Sequence, residues 1–96
     1  MASTHAHVPT AHASRYLQQL CKHWAHKLEV AFDPQHGEVK LPDGALAIMD
    51  AGPDALDVRI EAGDAGTLET MKGVVARHLD RFAFREAPLP FDWQDA

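Results

Sequence analysis

Ninety-six residues, 46% hydrophobic and 24% charged, describe one small globular domain, residues 1–96, with no room for a second core. The net charge is −5 with the histidines neutral and lysines and arginines form no run, so no nucleic-acid partner is expected, because phosphate-backbone affinity comes from clustered cations. A single cysteine closes no internal disulfide, no apolar stretch reaches spanning length, and "MASTHAHVPTAHAS" lacks the basic and apolar parts of a secretory leader, which points to a cytoplasmic protein with no membrane partner.

The first element is "THAHV" (4–8), where Ala6 and Val8 alternate with His5 and His7 until Pro9 stops the run; residues 1–12 are predicted to be an N-terminal edge strand or tail. Ser14 is a suitable N-cap for a helix over 15–27, whose apolar stripe is Leu17, Leu20, Cys21, Trp24 and Leu28. The segments "LEVAF", "GEVKL", "ALAIMD" and "ALDVRIEA" are divided by the turn formers "DPQHG", "PDG" and "AGPD". Connections this short predict four antiparallel strands in a meander. Val39, Leu41, Leu46, Ile48, Leu56, Val58 and Ile60 are assigned to its inner face, and Glu38, Lys40, Asp57, Arg59 and Glu61 to a wet outer face.

A second helix opens near Asp64 or Thr67, carries Leu68, Met71, Val75, His78, Leu79 and Phe82 at helical spacing, and ends around Phe84. After it, residues 87–96 read as an extended tail with Leu89, Phe91 and Trp93 at alternate positions. The predicted fold is α+β in two layers, an antiparallel meander sheet with helices on one face, in the β-α-β4-α order of the helix-grip topology.

The stretch "CKHWAH" (21–26) has the look of a metal-ligand set. At ~100° per residue, however, Cys21 falls on the buried stripe while His23 and His26 lie well away from it, so one helix cannot wrap all three around an ion. Cys21 is therefore expected to be buried and chemically quiet. His23 and His26 share one flank and remain a two-histidine pair for a transition metal, needing a third ligand from elsewhere; a solvated flank is the plainer alternative. His78, at the edge of the second apolar stripe, is expected to be partly buried and hydrogen-bonded to Tyr16 or His23. Arg77, Arg81 and Arg85 follow at i+4 steps as a cationic ridge that either pairs with acids such as Asp80 and Glu86 or holds a carboxylate-bearing ligand. His5, His7 and His12 can take up nickel or copper as any histidine-rich tail can. No nucleophile signature or phosphate loop is present.

The two segments "ASRYLQQLCKHWAHK" and "VVARHLDRFAFRE" together resemble the signature blocks of an uncharacterised bacterial family, domain of unknown function 2218, with similarity over nearly the whole chain. The pattern falls on Arg15, Tyr16, Leu17, Leu20, Cys21, Lys22, His23, His26 and Lys27, and on His78, Leu79, Arg81, Phe82, Ala83, Arg85 and Glu86, with Trp24 where phenylalanine is common. The resemblance implies the fold and a bacterial cytoplasm but no reaction. Some relatives resemble accessory domains of siderophore-interacting flavoproteins, which hints at iron uptake.

The combined expectation is a small cytoplasmic ligand-binding or accessory protein, linked to iron or siderophore metabolism, whose small-molecule or metal partner is lined by Tyr16, His23, His78 and Arg81. Two rivals stand beside it: an enzyme with a histidine acid or base, and a homodimeric interaction module built on the "LPFDW" tail. An acid oriented at hydrogen-bond distance from one of these histidines would favour the enzyme. A large apolar contact through Phe91 and Trp93 would favour the module.

Overall fold

A computed structural model describes residues 2–95; Met1 and Ala96, the outermost residues of the expected first strand and last tail, lie outside the described residues. In chain order the elements are β1 (Ala2–Pro9), α1 (Ala13–Trp24), β2 (Glu29–Phe32), β3 (His36–Lys40), a short 3-10 turn (Pro42–Gly44), β4 (Leu46–Ala51), β5 (Ala55–Ala62), α2 (Ala65–Phe82) and β6 (Gln94–Asp95). All strands join one antiparallel six-stranded sheet in the order β2-β3-β4-β5-β1-β6. Both helices pack against that sheet and against each other around one core. The fold is α+β, as the sequence predicts.

The first strand does not sit at the edge. It pairs along its whole length with β5, from Ala2 opposite Ala62 to Pro9 opposite Ala55, and β6 closes its other side at Thr4 and His5. Ala6 and Val8 are fully buried, so alternation gives the correct inner face while local sequence gives no sign of the distant partner. The outer strands are β2 and β6.

The first helix is displaced from its expected bounds at both ends. Its N-cap is His12, without a side-chain bond. Ser14 lies inside the first turn, where its hydroxyl donates to the Pro34 carbonyl at 2.5 Å and accepts from the Gln18 amide at 2.9 Å. It thus ties the helix start to the β2–β3 turn instead of capping it. At the other end, the Lys27 and Leu28 amides both donate to the Trp24 carbonyl, and the chain reverses there so that Leu28 and Val30 can pack on the core. The second helix starts as its cap chemistry demands: the Asp64 carboxylate accepts the Thr67 amide at 2.7 Å.

One face assignment is reversed. On β4 the buried residues are Ala47 and Met49, both fully inaccessible, whereas Leu46 and Ile48 lie on the outer face. Apolar residues occupy both phases of "LAIMDA", so periodicity cannot choose between them; the register does. Ala47 stands between Val39 and Ile60, and Met49 opposite Val58, while Leu46 faces Lys40 and Glu61 and Ile48 faces Glu38 and Arg59.

Beneath α1 the sheet has a glycine. A Cβ on Gly37 would meet Cys21 Sγ at 2.9 Å and Leu17 Cδ2 at 3.3 Å, so the helix rests directly on the β3 backbone. Cys21 is fully buried, and burial pushes its thiol up to about 11, which leaves almost no reactive thiolate at neutral pH. The outer face is charged and internally paired: Lys40 with Glu29 at 2.5 Å, Arg59 with Glu61 at 3.1 Å, and His36 with Asp50 at 2.6 Å and Glu38 at 2.9 Å.

Two consequences follow. Gly37→Ala is expected to cost about 1 to 3 kcal/mol through overpacking, and in a Cys21→Ala background the penalty should shrink, because the atom that the new methyl strikes is gone; additive losses in denaturant titrations would contradict the contact. Hydrogen bonds first to Asp50 and then to Glu38 push His36 up to about 9. Since the folded value lies above the unfolded ~6.5, its stabilisation is complete below that pH and is lost as pH rises through 9. Denaturation midpoints from pH 6 to 10 should fall further for the wild type than for His36→Gln, and parallel curves would remove His36 as a stabilising charge.

Candidate functional site

The two helices run in opposite senses along a shared seam. At one end Tyr16 meets Glu86, just beyond α2; at the other, His23 and Trp24 meet His78, with ring centroids 5.9 and 5.1 Å from it. His23 also lies edge-on to Phe82 at 5.8 Å. These rings gather because the α1 stripe buries Trp24, α2 buries Val75 and Leu79, and His23 and His78 occupy the facing flanks.

The expected bond between His78 and Tyr16 or His23 does not form. His78 Nδ1 donates to the Val74 carbonyl, one turn back in its own helix, at 2.6 Å. A carbonyl only accepts, so in this bond Nδ1 carries a proton. Tyr16 is engaged at the far end of the seam. Its hydroxyl donates to Glu86, which also accepts the Thr10 hydroxyl at 3.0 and 3.1 Å. The Glu86 bond raises the tyrosine above its ordinary pKa, and the same bond holds the Glu86 carboxyl below its own. Tyr16 is thus a tie between α1 and the turn after α2.

The four residues expected to share one site divide among three depressions. His23 and His78, with Trp24, Lys27, Leu28, Leu41, Pro42 and Val74, line a cleft of about 210 Å3. Arg81 lines a neighbouring dent with Arg77 and His78. Tyr16 borders a third, of about 220 Å3, with Arg15, Gln19, Phe82, Phe84 and Arg85. The sequence gives Trp24 only as core, and it gives no reason to bring Leu41 and Pro42 from the β3–β4 connection to the end of α1.

For the His23–His26 pair, α1 ends at Trp24 and His26 lies in the exposed turn just beyond it. Among the described residues no three histidine, cysteine or carboxylate side chains stand ready around a common coordination point. Neither His23 nor His78 has a described carboxylate within 4.0 Å.

Charge separates the seam from the rest of the molecule. Lys40, Arg59 and Lys72 all have carboxylate partners. Arg15, Lys22, Lys27, Arg77, Arg81 and Arg85, all on or just beyond the two helices, have none within 4.0 Å among the described residues. The acids expected to pair with the ridge are used elsewhere: Glu86 by Tyr16 and Thr10, and Asp80 by the Leu89 amide at 2.9 Å.

His78→Ala removes a half-buried ring from Trp24 and His23 and is expected to cost about 1 to 2 kcal/mol. His26→Ala, in the exposed turn, should stay within about 0.5 kcal/mol of wild type. Equal losses in thermal or chemical denaturation would show that the His78 contacts contribute nothing.

The solved NMR structure of PA4090 from Pseudomonas aeruginosa is similar to this chain, with 37% identity, a TM-score of 0.82, and coverage of 98% of this chain and 96% of that one. No curated protein matches it. No described helix is long and apolar enough to cross a membrane. The model of the family described as "Uncharacterized protein conserved in bacteria (DUF2218)" matches residues 5–94, and the chain belongs to that family.

Proposed function

We propose that this chain is a small cytoplasmic ligand-binding or accessory protein that takes a ring-bearing anion at the helix seam. The observation that carries this reading is the row of unpaired cations. Arginines at i+4 spacing ordinarily find carboxylates on their own surface, yet here the nearby acids are committed to holding the tail and the end of α2 in place. The ridge is left for an external anion, and guanidinium forks suit a carboxylate well.

The adjoining cleft supplies the rest of the specificity. Trp24, His23 and His78 offer ring faces and edges, Leu28, Leu41 and Val74 an apolar floor, and Lys27 a charge at the rim. Its volume, about 210 Å3, is below the ~300–1,000 Å3 of drug-sized sites, so it suits one ring with its substituents. Hydroxylated benzoates fit that description, as do the catechol rings of iron chelators; this is the form in which a link to iron metabolism agrees with the site. The modest number of cations and the overall negative charge argue against nucleic acid.

The rival readings draw less support. No described carboxylate stands within 4.0 Å of His23 or His78 to raise either ring's basicity. Phe91 and Trp93 stack on each other at 5.3 Å and pack against the protein's own core, which leaves less apolar surface for a homodimer contact.

The test is titration of untagged protein with salicylate and 2,3-dihydroxybenzoate, followed by imidazole NMR shifts, with benzyl alcohol and acetate as controls. The aromatic acids should shift His23 and His78, and Arg77→Ala combined with Arg81→Ala should weaken them at least tenfold, about 1.4 kcal/mol. Equal binding of benzyl alcohol, or an unchanged double variant, would sink the proposal.

A further inference from the structure

The turn that follows α2 presents side chains that the cleft at the other end of the seam does not use. Phe84 is 72% exposed, against 37% for Phe32, the other exposed large apolar side chain among the described residues. A single ring in solvent means little by itself, but this one is held in place. The buried Ala83 beside it donates its amide to the Leu79 carbonyl, the Glu86 amide returns to the Ala83 carbonyl at 2.8 Å, and the Glu86 carboxylate accepts the Tyr16 and Thr10 hydroxyls. Two guanidinium groups accompany the ring. Arg85 lies over it, 5.7 Å from the centroid, and Arg15 comes from the first turn of α1. With Tyr16, Gln19 and Phe82 these residues border a depression of about 220 Å3. Neither arginine has a carboxylate within 4.0 Å among the described residues.

We propose that this end of the seam is a docking surface for an acidic segment of another protein, one that carries an apolar side chain between carboxylates. Arginine and aromatic side chains at the centre of a contact are the residues that most often carry binding energy. The depression has room for one side chain, and the two arginines, one from each end of the chain, supply the charge complement on its border. Because Ala83 and Glu86 fix the turn, the Phe84 backbone is ordered before the partner arrives, which lowers the entropy lost on binding.

Other occupants fit less well. A small ligand in the depression would leave most of the Phe84 ring in water, whereas a protein segment would cover it. A second copy meeting this one about a two-fold axis would set Arg15 and Arg85 against the same arginines. A membrane surface needs a broader apolar face than one ring provides. The His23 and His78 cleft shares no lining residue with this depression, so the two readings stand or fall separately.

The experiment is fluorescence anisotropy titration of the full chain into a labelled, capped peptide with a central leucine flanked by glutamates, together with amide NMR. Saturable one-to-one binding is expected, with shifts at residues 15–19 and 82–86 and a clear loss of affinity between about 50 and 300 mM salt. Phe84→Ala, and Arg15→Gln combined with Arg85→Gln, should each weaken the peptide at least tenfold, while Arg77→Ala combined with Arg81→Ala leaves it unchanged. Circular dichroism and melting of each variant check that the fold persists. Absence of binding, equal binding of the same peptide with glutamine for glutamate, unchanged affinity in the Phe84 or Arg15/Arg85 variants, or binding to phosphatidylserine vesicles without binding to the peptide would overturn the proposal.

Discussion

The arrangement of the molecule depends on one close contact, between α1 and the backbone of β3 at Gly37. With Cys21 Sγ and Leu17 Cδ2 filling the space of the absent Cβ, the helix lies lower on the sheet than any side chain at 37 would permit. Its height fixes where its two ends emerge. Trp24 and His23 come out beside His78, and Tyr16 beside Glu86. A buried thiol is suited to this contact because sulfur is apolar and polarisable and burial keeps it protonated. The quietness of Cys21 and the position of the seam therefore have the same cause.

The second constraint is strand parity, and it sorts charge as well as hydrophobicity. Every second residue of β1, β3, β4 and β5 faces the helices, which sends His5, His7, Asp57, Arg59, Glu61, Glu38 and Lys40 to the opposite side. Acids and histidines there satisfy one another in short pairs. The helical layer follows a different rule. Apart from Glu69, which pairs with Lys72, its acids are taken up by caps and ties, Asp64 at the start of α2, Asp80 at the Leu89 amide and Glu86 at Tyr16, and its arginines have no described carboxylate within 4.0 Å. A chain that is acidic overall thus carries a basic helical face, which net charge alone conceals.

What could be read in the sequence followed periodicity, and what could not followed contact. The stripes of both helices and the inner faces of β1, β3 and β5 emerge from spacing because apolar and polar residues there alternate without ambiguity. Spacing fails at β4, where Leu46 and Ile48 outrank Ala47 and Met49 in hydrophobicity but not in register. It fails again at the end of α1, where helical residues continue to Lys27 but the chain must turn to enter β2. Tyr16 and Glu86 lie 70 positions apart, and no local signal joins them; both fall in the family blocks, yet a shared pattern does not say which pairs touch. The rings of His23 and His78 lie 5.9 Å apart without the hydrogen bond that spacing suggests, because an imidazole that can reach its own helix carbonyl needs no partner across the gap.

The two faces of the sheet are joined by the strands that separate them. On β1, Ala6 and Val8 face the core beneath α2, while the intervening His5 and His7 face solvent; on β5, Val58 and Ile60 do the same beside Asp57. The register that brings Asp57 to His7 is therefore the one that brings Val58 to Ala6 and Ile60 to Thr4. A slip of one residue would expose the floor under α2 and bury the imidazoles together. Packing of the helical layer thus holds the outer histidines in place without touching them. In this small domain, hydrophobic burial on one side of a sheet supplies the positional precision for the polar chemistry on the other.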